Sequence, residues 1–210
     1  LIEGRVAIEG SLGLLRLLHT TIVPGGSIAV PDPAVPLPPP GPLLPALSAA
    51  ALRPDGAPAN ANLRVEAAFS ILGGVAVPAH AEGITLLDCI VDGAGGRAVS
   101  GPAAGAPGPD MRIERTSFRG AVHCRAISLA TDTIFDGALT VDRRQQGCIR
   151  FSFVRAGSDT PRRYRCQPDL AIRAAREAAG PLTPPADALL VEAVVRRVRP
   201  EYASEAYGQP

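Results

Sequence analysis

Four aspartates are spaced so that their carboxylates could take part in catalysis. Asp88 and Asp132 each follow a stretch of alternating apolar residues, and Asp92 and Asp136 come four residues later, directly before a glycine. Glycoside hydrolysis needs two or three carboxylates around one bond, one to protonate the leaving oxygen and another to attack or to activate water. Aspartate is also an ordinary turn residue. The four residues are therefore candidates for polysaccharide cleavage, and turn formation is the simpler interpretation.

Arginines form the strongest charge cluster of the chain. The cluster consists of Arg143, Arg144, Arg162, Arg163 and Arg165. Guanidinium groups bind carboxylates through parallel hydrogen bonds, so these side chains could contact a partner protein or an acidic ligand. A solvated, salt-bridged edge at the end of the fold is the simpler interpretation. These five arginines are the candidate partner-binding residues.

Other catalytic motifs are missing from the sequence. It has no Gly-x-Ser-x-Gly, no phosphate-binding loop and no His-Glu-x-x-His. The three histidines, His19, His80 and His123, are isolated from one another. We therefore predict no cofactor and no catalytic group beyond the aspartates.

The four cysteines do not predict a metal site. Cys89, Cys124, Cys148 and Cys166 lie 35, 24 and 18 residues apart, with no Cys-x-x-Cys and no histidine pair nearby. Structural zinc sites use closer spacing. Buried free thiols are the main interpretation, and a Cys148–Cys166 disulfide is the alternative.

Composition and charge restrict the class of protein. The net charge is +1, whereas proteins that bind nucleic acid usually carry a large basic excess, so we expect no nucleic-acid partner. No run of 18 apolar residues occurs, so no membrane span is expected. Aromatic residues make up 4% of the chain and tryptophan is absent, which favours thin, regular core layers of Leu, Ile, Val and Ala.

One short sequence pattern recurs along the chain. It consists of alternating apolar residues, a small polar residue, two apolar residues and a glycine shortly afterwards. Copies begin near residues 15, 65, 84, 111, 127 and 148. The later glycines, Gly74, Gly93, Gly120, Gly137 and Gly157, lie 19, 27, 17 and 20 residues apart. A period of roughly 20 residues is typical of a small solenoid.

The pattern predicts an all-β right-handed parallel β-helix with short coils. Stacked copies would place four isoleucines in one buried column: Ile22, Ile71, Ile90 and Ile134. Small residues would stand just before them: Thr21, Ser70, Cys89 and Thr133. The glycine of each copy would supply a backbone conformation that other residues adopt at a cost. An antiparallel β-sandwich is the structural alternative.

We expect the chain to divide into two regions. Residues 1–160 would form the β-helix, interrupted by a proline-rich loop at residues 31–62 and a smaller Gly- and Pro-rich excursion at 93–110. Residues 161–210 would form a capping extension. There, residues 170–179 predict a helix, and residues 186–199 predict either a helix or a last strand.

Two segments carry a resemblance to a known group. Residues 143–153 (RRQQGCIRFSF) and 160–169 (TPRRYRCQPD) resemble large bacterial, pectin-lyase-like β-helix proteins that are associated with phage-tail-like contractile injection particles. The likeness extends over the repeat copies to residues 207–209, although only the arginine and cysteine block is specific. It implies a part of, or an accessory to, an extracellular particle or cell surface. The proline-rich stretch departs from the pattern, and no catalytic residue is carried over.

These observations predict a non-enzymatic structural or adhesive segment of a larger bacterial protein. It would present a rigid surface to partner subunits or surface glycans. The alternative is a polysaccharide lyase or hydrolase that uses the four aspartates. A third hypothesis is an interaction module built on the proline-rich loop.

Overall fold

The computed structural model describes residues 1–22 and 44–202, and these form two parallel β-sheets followed by two helices. In chain order the elements are β1 (Val6–Ile8), β2 (Leu14–Leu18), β3 (Leu47–Ala49), β4 (Arg64–Ala68), β5 (Ile71–Gly73), β6 (Val75–Ala76), β7 (Gly83–Leu87), β8 (Ile90–Ser100), β9 (Met111–Glu114), β10 (Ser117–Cys124), β11 (Ile127–Thr131), β12 (Ile134–Phe135), β13 (Leu139–Val141), β14 (Cys148–Arg150), β15 (Phe153–Val154), β16 (Arg162–Tyr164), α1 (Asp169–Ala179) and α2 (Pro184–Arg197).

The strands alternate between the two sheets as the chain proceeds. The first sheet has the order β2-β4-β7-β9-β11-β14-β16, which is chain order. The second sheet has the order β1-β3-β6-β8-β10-β12-β15, with β5 beside β8 and β13 beside β10. Every pairing between these strands is parallel, which excludes the antiparallel sandwich. Each strand therefore pairs with its counterpart in the neighbouring copies of the repeat.

The core lies between buried columns of apolar side chains that stack in register. On the first sheet one column consists of Leu17, Ala67, Leu86, Ile113, Ala130 and Ile149. On the second sheet another consists of Leu72, Val91, Phe118, Phe135 and Val154. Alternation along each strand sends these side chains inward because neighbouring residues point to opposite faces. Burial of one large aliphatic side chain contributes about 1.5–3 kcal/mol, so every copy adds to the stability.

The predicted isoleucine column is off by one residue. Ile71 pairs with Ile90, and Ser117 pairs with both Ile90 and Ile134, so three of the four isoleucines do share a column. That column faces outward, however, and Ile90 is 42% exposed. The residue after each isoleucine is the buried one, and Ile22 belongs with those residues. With two apolar residues in succession, the pattern does not say which points inward, and a shift of one residue exchanges the faces.

A left-handed turn follows every strand of the first sheet. The seven turn residues, which we call the turn ridge, are His19, Phe69, Asp88, Arg115, Asp132, Phe151 and Arg165. Their φ angles lie between 46° and 54°, although none is glycine. The next residue is always small, and its hydroxyl or thiol donates to the carbonyl two residues earlier: Thr20, Ser70, Cys89, Thr116, Thr133, Ser152 and Cys166. These local hydrogen bonds hold the chain in the turn.

Two of the glycines that end the copies have the predicted role, since Gly120 and Gly157 adopt φ angles of 115° and 79°, but the other three do not. Among Gly74, Gly93 and Gly137 none has a positive φ. Instead, a Cβ on Gly93 would lie 2.6 Å from the carbonyl carbon of Arg97, and one on Gly137 would overlap the Gly120 backbone. Their function is to let neighbouring backbones approach closely.

The insertions and the C-terminal region differ in part from expectation. Residues 31–43 of the predicted proline-rich loop lie outside the described residues, and the remainder is not loop alone, because it contains β3. There Leu47 and Ala49 are buried on either side of Ser48. The stretch at 93–110 contains eight of the 11 residues of β8. The helix predicted at 170–179 is confirmed as α1, and the stretch at 186–199 is helical over residues 186–197, within α2.

Candidate functional site

The two aspartates of the turn ridge are separated by an arginine. Asp88 accepts two hydrogen bonds from Arg115, at 2.7 Å from Nε and 2.9 Å from Nη2. This bidentate pair holds the pKa of the Asp88 carboxyl below its ordinary value. Asp132 occupies the equivalent turn position in the copy that follows Arg115, and its carboxylate accepts a hydrogen bond from the Thr131 hydroxyl at 2.7 Å.

The other two aspartates lie on the second sheet and are also next to arginines. Asp92 pairs with Arg119 at 2.9 Å, and its second oxygen accepts the Ala94 N–H at 2.8 Å. Asp136 follows Phe135 and contacts Arg199 at 3.6 Å. The two carboxylate side chains are only 15% and 17% exposed. Both side chains are mostly buried, and each lines a surface cleft: Asp92 one of about 430 Å³ and Asp136 one of about 300 Å³.

The pairing of Asp88 with Arg115 favours the charged form of this carboxyl over the protonated form. A glycosidase needs a carboxylic acid whose pKa is raised, so that it is protonated and can donate. Arg115 has the opposite effect on Asp88, whose pKa it lowers. Asp88 and Asp132 lie on the turn ridge beside the first sheet, whereas Asp92 and Asp136 lie beside the second sheet.

The five candidate arginines lie near the end of the first sheet: Arg143 and Arg144 in the loop before β14, and Arg162, Arg163 and Arg165 on β16 or directly after it. Arg144 pairs with Asp159 at 3.2 Å, and Arg163 pairs with Asp169, the first residue of α1, at 3.3 Å. Within residues 1–22 and 44–202, Arg143, Arg162 and Arg165 have no carboxylate within 4 Å. The basic charge of this region is thus only partly compensated.

Sequence reasoning missed that the arginine block is itself a copy of the repeat. Arg162 and Arg163 belong to β16, Arg165 takes the turn position, and Cys166 takes the small-residue position. Arg163 stands in register with the buried Ile149. A charged residue thus replaces the apolar core residue at the last strand of the first sheet, where no further layer needs it among the described residues. The Arg-Cys order could have been matched to Asp88-Cys89 in the sequence.

Two exposed aromatic side chains were also missed. Phe151 is 49% exposed and Tyr164 is 52% exposed, and their rings meet edge to face with centroids 5.8 Å apart. The Arg165 guanidinium lies 5.6 Å from the Tyr164 ring centroid. Because the chain contains only eight Phe and Tyr residues, two of them exposed together mark this surface. Tyrosine and arginine are enriched in the energetically important parts of protein interfaces.

The histidines and cysteines have structural contacts. His123 lies 3.0 Å from the Asp142 carboxylate, and His80 lies 2.6 Å from the Ala59 carbonyl. The four cysteines are free thiols, and burial raises the pKa of Cys124 to about 12. In the described part of the chain no three His, Cys, Asp or Glu side chains are placed to hold a metal ion.

Comparisons with known proteins do not assign the chain to a family. No protein-family model, curated protein or solved structure matches it. The likeness to particle-associated bacterial proteins therefore remains an expectation from the sequence. Across residues 1–22 and 44–202, neither helix is long and apolar enough to cross a membrane.

Proposed function

We propose that the chain is a segment of a right-handed parallel β-helix that works as a non-enzymatic scaffold in a larger bacterial protein. Its surface would serve partner subunits, or surface glycans, of an extracellular particle or cell surface. Support for the β-helix comes from the repeated return of the chain from one parallel sheet to the other and from the stacked columns of equivalent residues. Side chains that stack in register on parallel strands are what a solenoid requires.

One contrast carries the functional part of the proposal. Asp88, Asp92 and Asp136, three of the four acidic groups needed for the enzymatic alternative, are next to arginines of the same fold. By contrast, Arg162 and Arg165 at the last strand have no carboxylate among the described residues. Surface arginines that have no carboxylate nearby can bind acidic groups of a partner.

A turnover assay tests the enzymatic alternative directly. The protein is incubated with a panel of neutral and acidic polysaccharides, and new reducing ends and unsaturated sugars are measured. We expect no product beyond that formed by a fourfold variant in which Asp88, Asp92, Asp132 and Asp136 are all asparagine. Turnover that Asp136→Asn or Asp88→Asn abolishes in a folded protein would overturn the scaffold proposal.

Two further measurements test the architecture and the assembly. An experimental structure should show the strands of the two sheets winding with a right-handed connection, and a left-handed or open arrangement would contradict the β-helix. Native material should sediment with a large particle or a cell-surface fraction. Recovery of the native protein only as a small free species would contradict the structural role.

A further inference from the structure

The last strand of the first sheet has an open edge. β16 pairs with β14 on one side, and no described strand lies on its other side. All three of its residues are exposed. The helix that follows does not close this edge tightly, because no residue of α1 is buried. Unpaired N–H and C=O groups on an edge strand are a template for another strand.

The charges around this edge disfavour pairing with a basic strand and favour pairing with an acidic one. Arg150, Arg162 and Arg165, which we call the arginine edge, have no carboxylate partner in residues 1–22 and 44–202. Arg162 lies on the strand, Arg165 follows it, and Arg150 is in register with Tyr164. Two copies of this edge would repel each other, because like charges opposite one another destabilise a strand pair. An acidic strand would meet opposite charge instead.

Apolar contact area and space are present beside the same strand. Tyr164 and Phe151 are about half exposed and contact each other. A cleft of about 380 Å³ runs between β16 and the start of α1, and Tyr164, Arg165, Leu170 and Arg173 are among its lining residues. The cleft also contains the Asp169 carboxylate, which is paired with Arg163, so Arg165 and Arg173 remain for an added strand. Apolar side chains of that strand could be buried here while its carboxylates contact these guanidinium groups. Aromatic and arginine side chains together are typical of the centres of protein interfaces.

We propose that β16 binds an extended acidic segment of a partner protein as an additional β-strand. This inference rests on the proposed scaffold function and names the chemistry of the partner. Side chains alternate along a strand, so residues on one face of the added strand lie opposite Arg162 and Tyr164. The preferred segment has an acidic residue opposite Arg162, an apolar residue opposite Tyr164 and a second acidic residue next to Arg165. Main-chain hydrogen bonds supply affinity, and the side chains supply specificity.

The probe is a fluorescein-labelled peptide, Thr-Glu-Thr-Val-Glu-Thr-Gly, with both ends blocked, and its binding is followed by fluorescence anisotropy. A second peptide has the same side chains with N-methyl groups on the amides that face β16, which removes hydrogen bonds and keeps the charge. We expect the N-methylated peptide to bind at least about tenfold more weakly, the usual effect of losing such bonds. A third peptide with lysine in place of glutamate should not bind.

The protein variant is Arg162→Glu combined with Arg165→Glu. It should weaken binding by at least about tenfold, because two charge-assisted contacts become repulsive. The matched control is Arg5→Glu combined with Arg53→Glu, which changes the net charge equally at two exposed arginines distant in the strand order. The control should bind as the natural protein does. The N-methylated peptide tests the same point without any substitution if the variant fails to fold.

Three results would overturn the inference. Equal binding of the normal and N-methylated peptides would exclude strand addition, and equal loss in the two protein variants would show a general charge effect. If dextran sulfate binds and displaces the peptide while N-methylation has no effect, the arginine edge is a site for anionic polymers. None of these results depends on the turnover assay or on sedimentation. Strand addition and the scaffold proposal can therefore fail independently of each other.

Discussion

At the scale of single residues, the turn ridge shows how a costly backbone conformation is kept. Non-glycine residues adopt positive φ at a cost, and phenylalanine and arginine are uncommon there. The following small residue compensates by donating to the carbonyl two positions earlier, as Ser152 does to Arg150 at 2.8 Å. Some of these groups also join neighbouring copies: the Ser152 hydroxyl accepts the buried Thr133 N–H at 3.1 Å. The hydrogen bonds of the following residues thus fix the backbone of the turn ridge, and side chains of several types occupy its positions.

Substitution at Asp132 tests this view of the turn. We expect Asp132→Val to lower the free energy of unfolding by about 1–2 kcal/mol, because a β-branched side chain is poorly tolerated at a φ of 54°. Asp132→Asn should be close to neutral, since asparagine tolerates the left-handed region. Urea denaturation of both variants measures the difference. Equal stability of the two variants would show that the backbone conformation there is not restrictive.

The Asp88–Arg115 pair predicts a dependence of stability on pH. Arg115 lowers the pKa of Asp88 in the folded protein through its hydrogen bonds. The pair therefore stabilises fully above the ordinary aspartate pKa of about 3.9, and its contribution is lost as pH falls through the lowered value. Asp88→Asn should melt at a lower temperature than the natural protein at about pH 7, and the two should converge in strong acid. A constant difference across this range would contradict the ion pair.

At the scale of elements, two features decide the fold. Side chains alternate between the inner and outer faces of each strand, and neighbouring backbones approach closely. Side chains one residue apart on a strand have opposite environments, as Ile134 and Phe135 show. Phe135 is fully buried and stacks on Phe118 with centroids 5.1 Å apart, whereas Ile134 lies on the outer face. The glycines permit the backbone contacts between these layers. Packing and backbone clearance therefore act together in each copy.

Replacing these two neighbours tests the register. Phe135→Ala should cost about 3–5 kcal/mol, the usual effect of truncating a buried aromatic side chain. Ile134→Ala should cost clearly less, because its side chain is only partly buried. Denaturant unfolding of the two variants under identical conditions provides the comparison. A larger effect at Ile134 would restore the register predicted from the sequence.

Gly137 tests the role assigned to the glycines. Gly137→Ala would bring a methyl group into the backbone of Gly120 and Ala121, which cannot move aside as a side chain can. We expect a loss of about 1–3 kcal/mol or failure to fold. Gly13→Ala is the matched control, since no heavy atom lies within 4 Å of the added carbon. Similar stability of the two variants would show that the backbones can separate there.

The sequence predicted the parallel strands, the repeat and the helical end, but not the finer geometry. Apolar and polar residues alternate clearly in segments such as residues 111–114, so strand positions could be read directly. Ile71-Leu72 and Ile90-Val91 offered no signal for which side chain points inward. The conformation at Phe69 and Arg115 could not be foreseen, because those residue types rarely adopt positive φ. The seventh copy of the repeat, which contains β16, was not recognised in the sequence because arginines occupy its strand.

At the scale of the whole molecule, charge is distributed unevenly along the order of the strands. Residues 1–142 contain nine arginines and thirteen acidic residues, whereas residues 143–202 contain twelve arginines and six acidic residues. The first sheet is built in chain order, so the basic excess gathers toward β16. The near-zero net charge conceals this asymmetry. A local basic field speeds association with acidic partners even when the total charge is small.

Removal of the helical end tests how independent the sheets are. We expect a chain that stops at residue 168 to keep its β-sheet circular dichroism and to melt cooperatively at a modestly lower temperature. The reason is that Val194 is the sole buried residue in the two helices, so little core is lost. Circular dichroism during heating makes the measurement. Loss of all ordered structure would show that the helices are required for folding.

The turn ridge has a consequence for how such a molecule can diversify. Successive ridge positions stand one strand apart, about 4.8 Å, along a single line. Histidine, phenylalanine, aspartate and arginine all occupy that line with nearly the same backbone angles. Side chains at these positions, β-branched ones excepted, can therefore be exchanged singly with little effect on the strands beneath. A library randomised at Asp132, Phe151 and Arg165 would give a set of surfaces on one unchanged support.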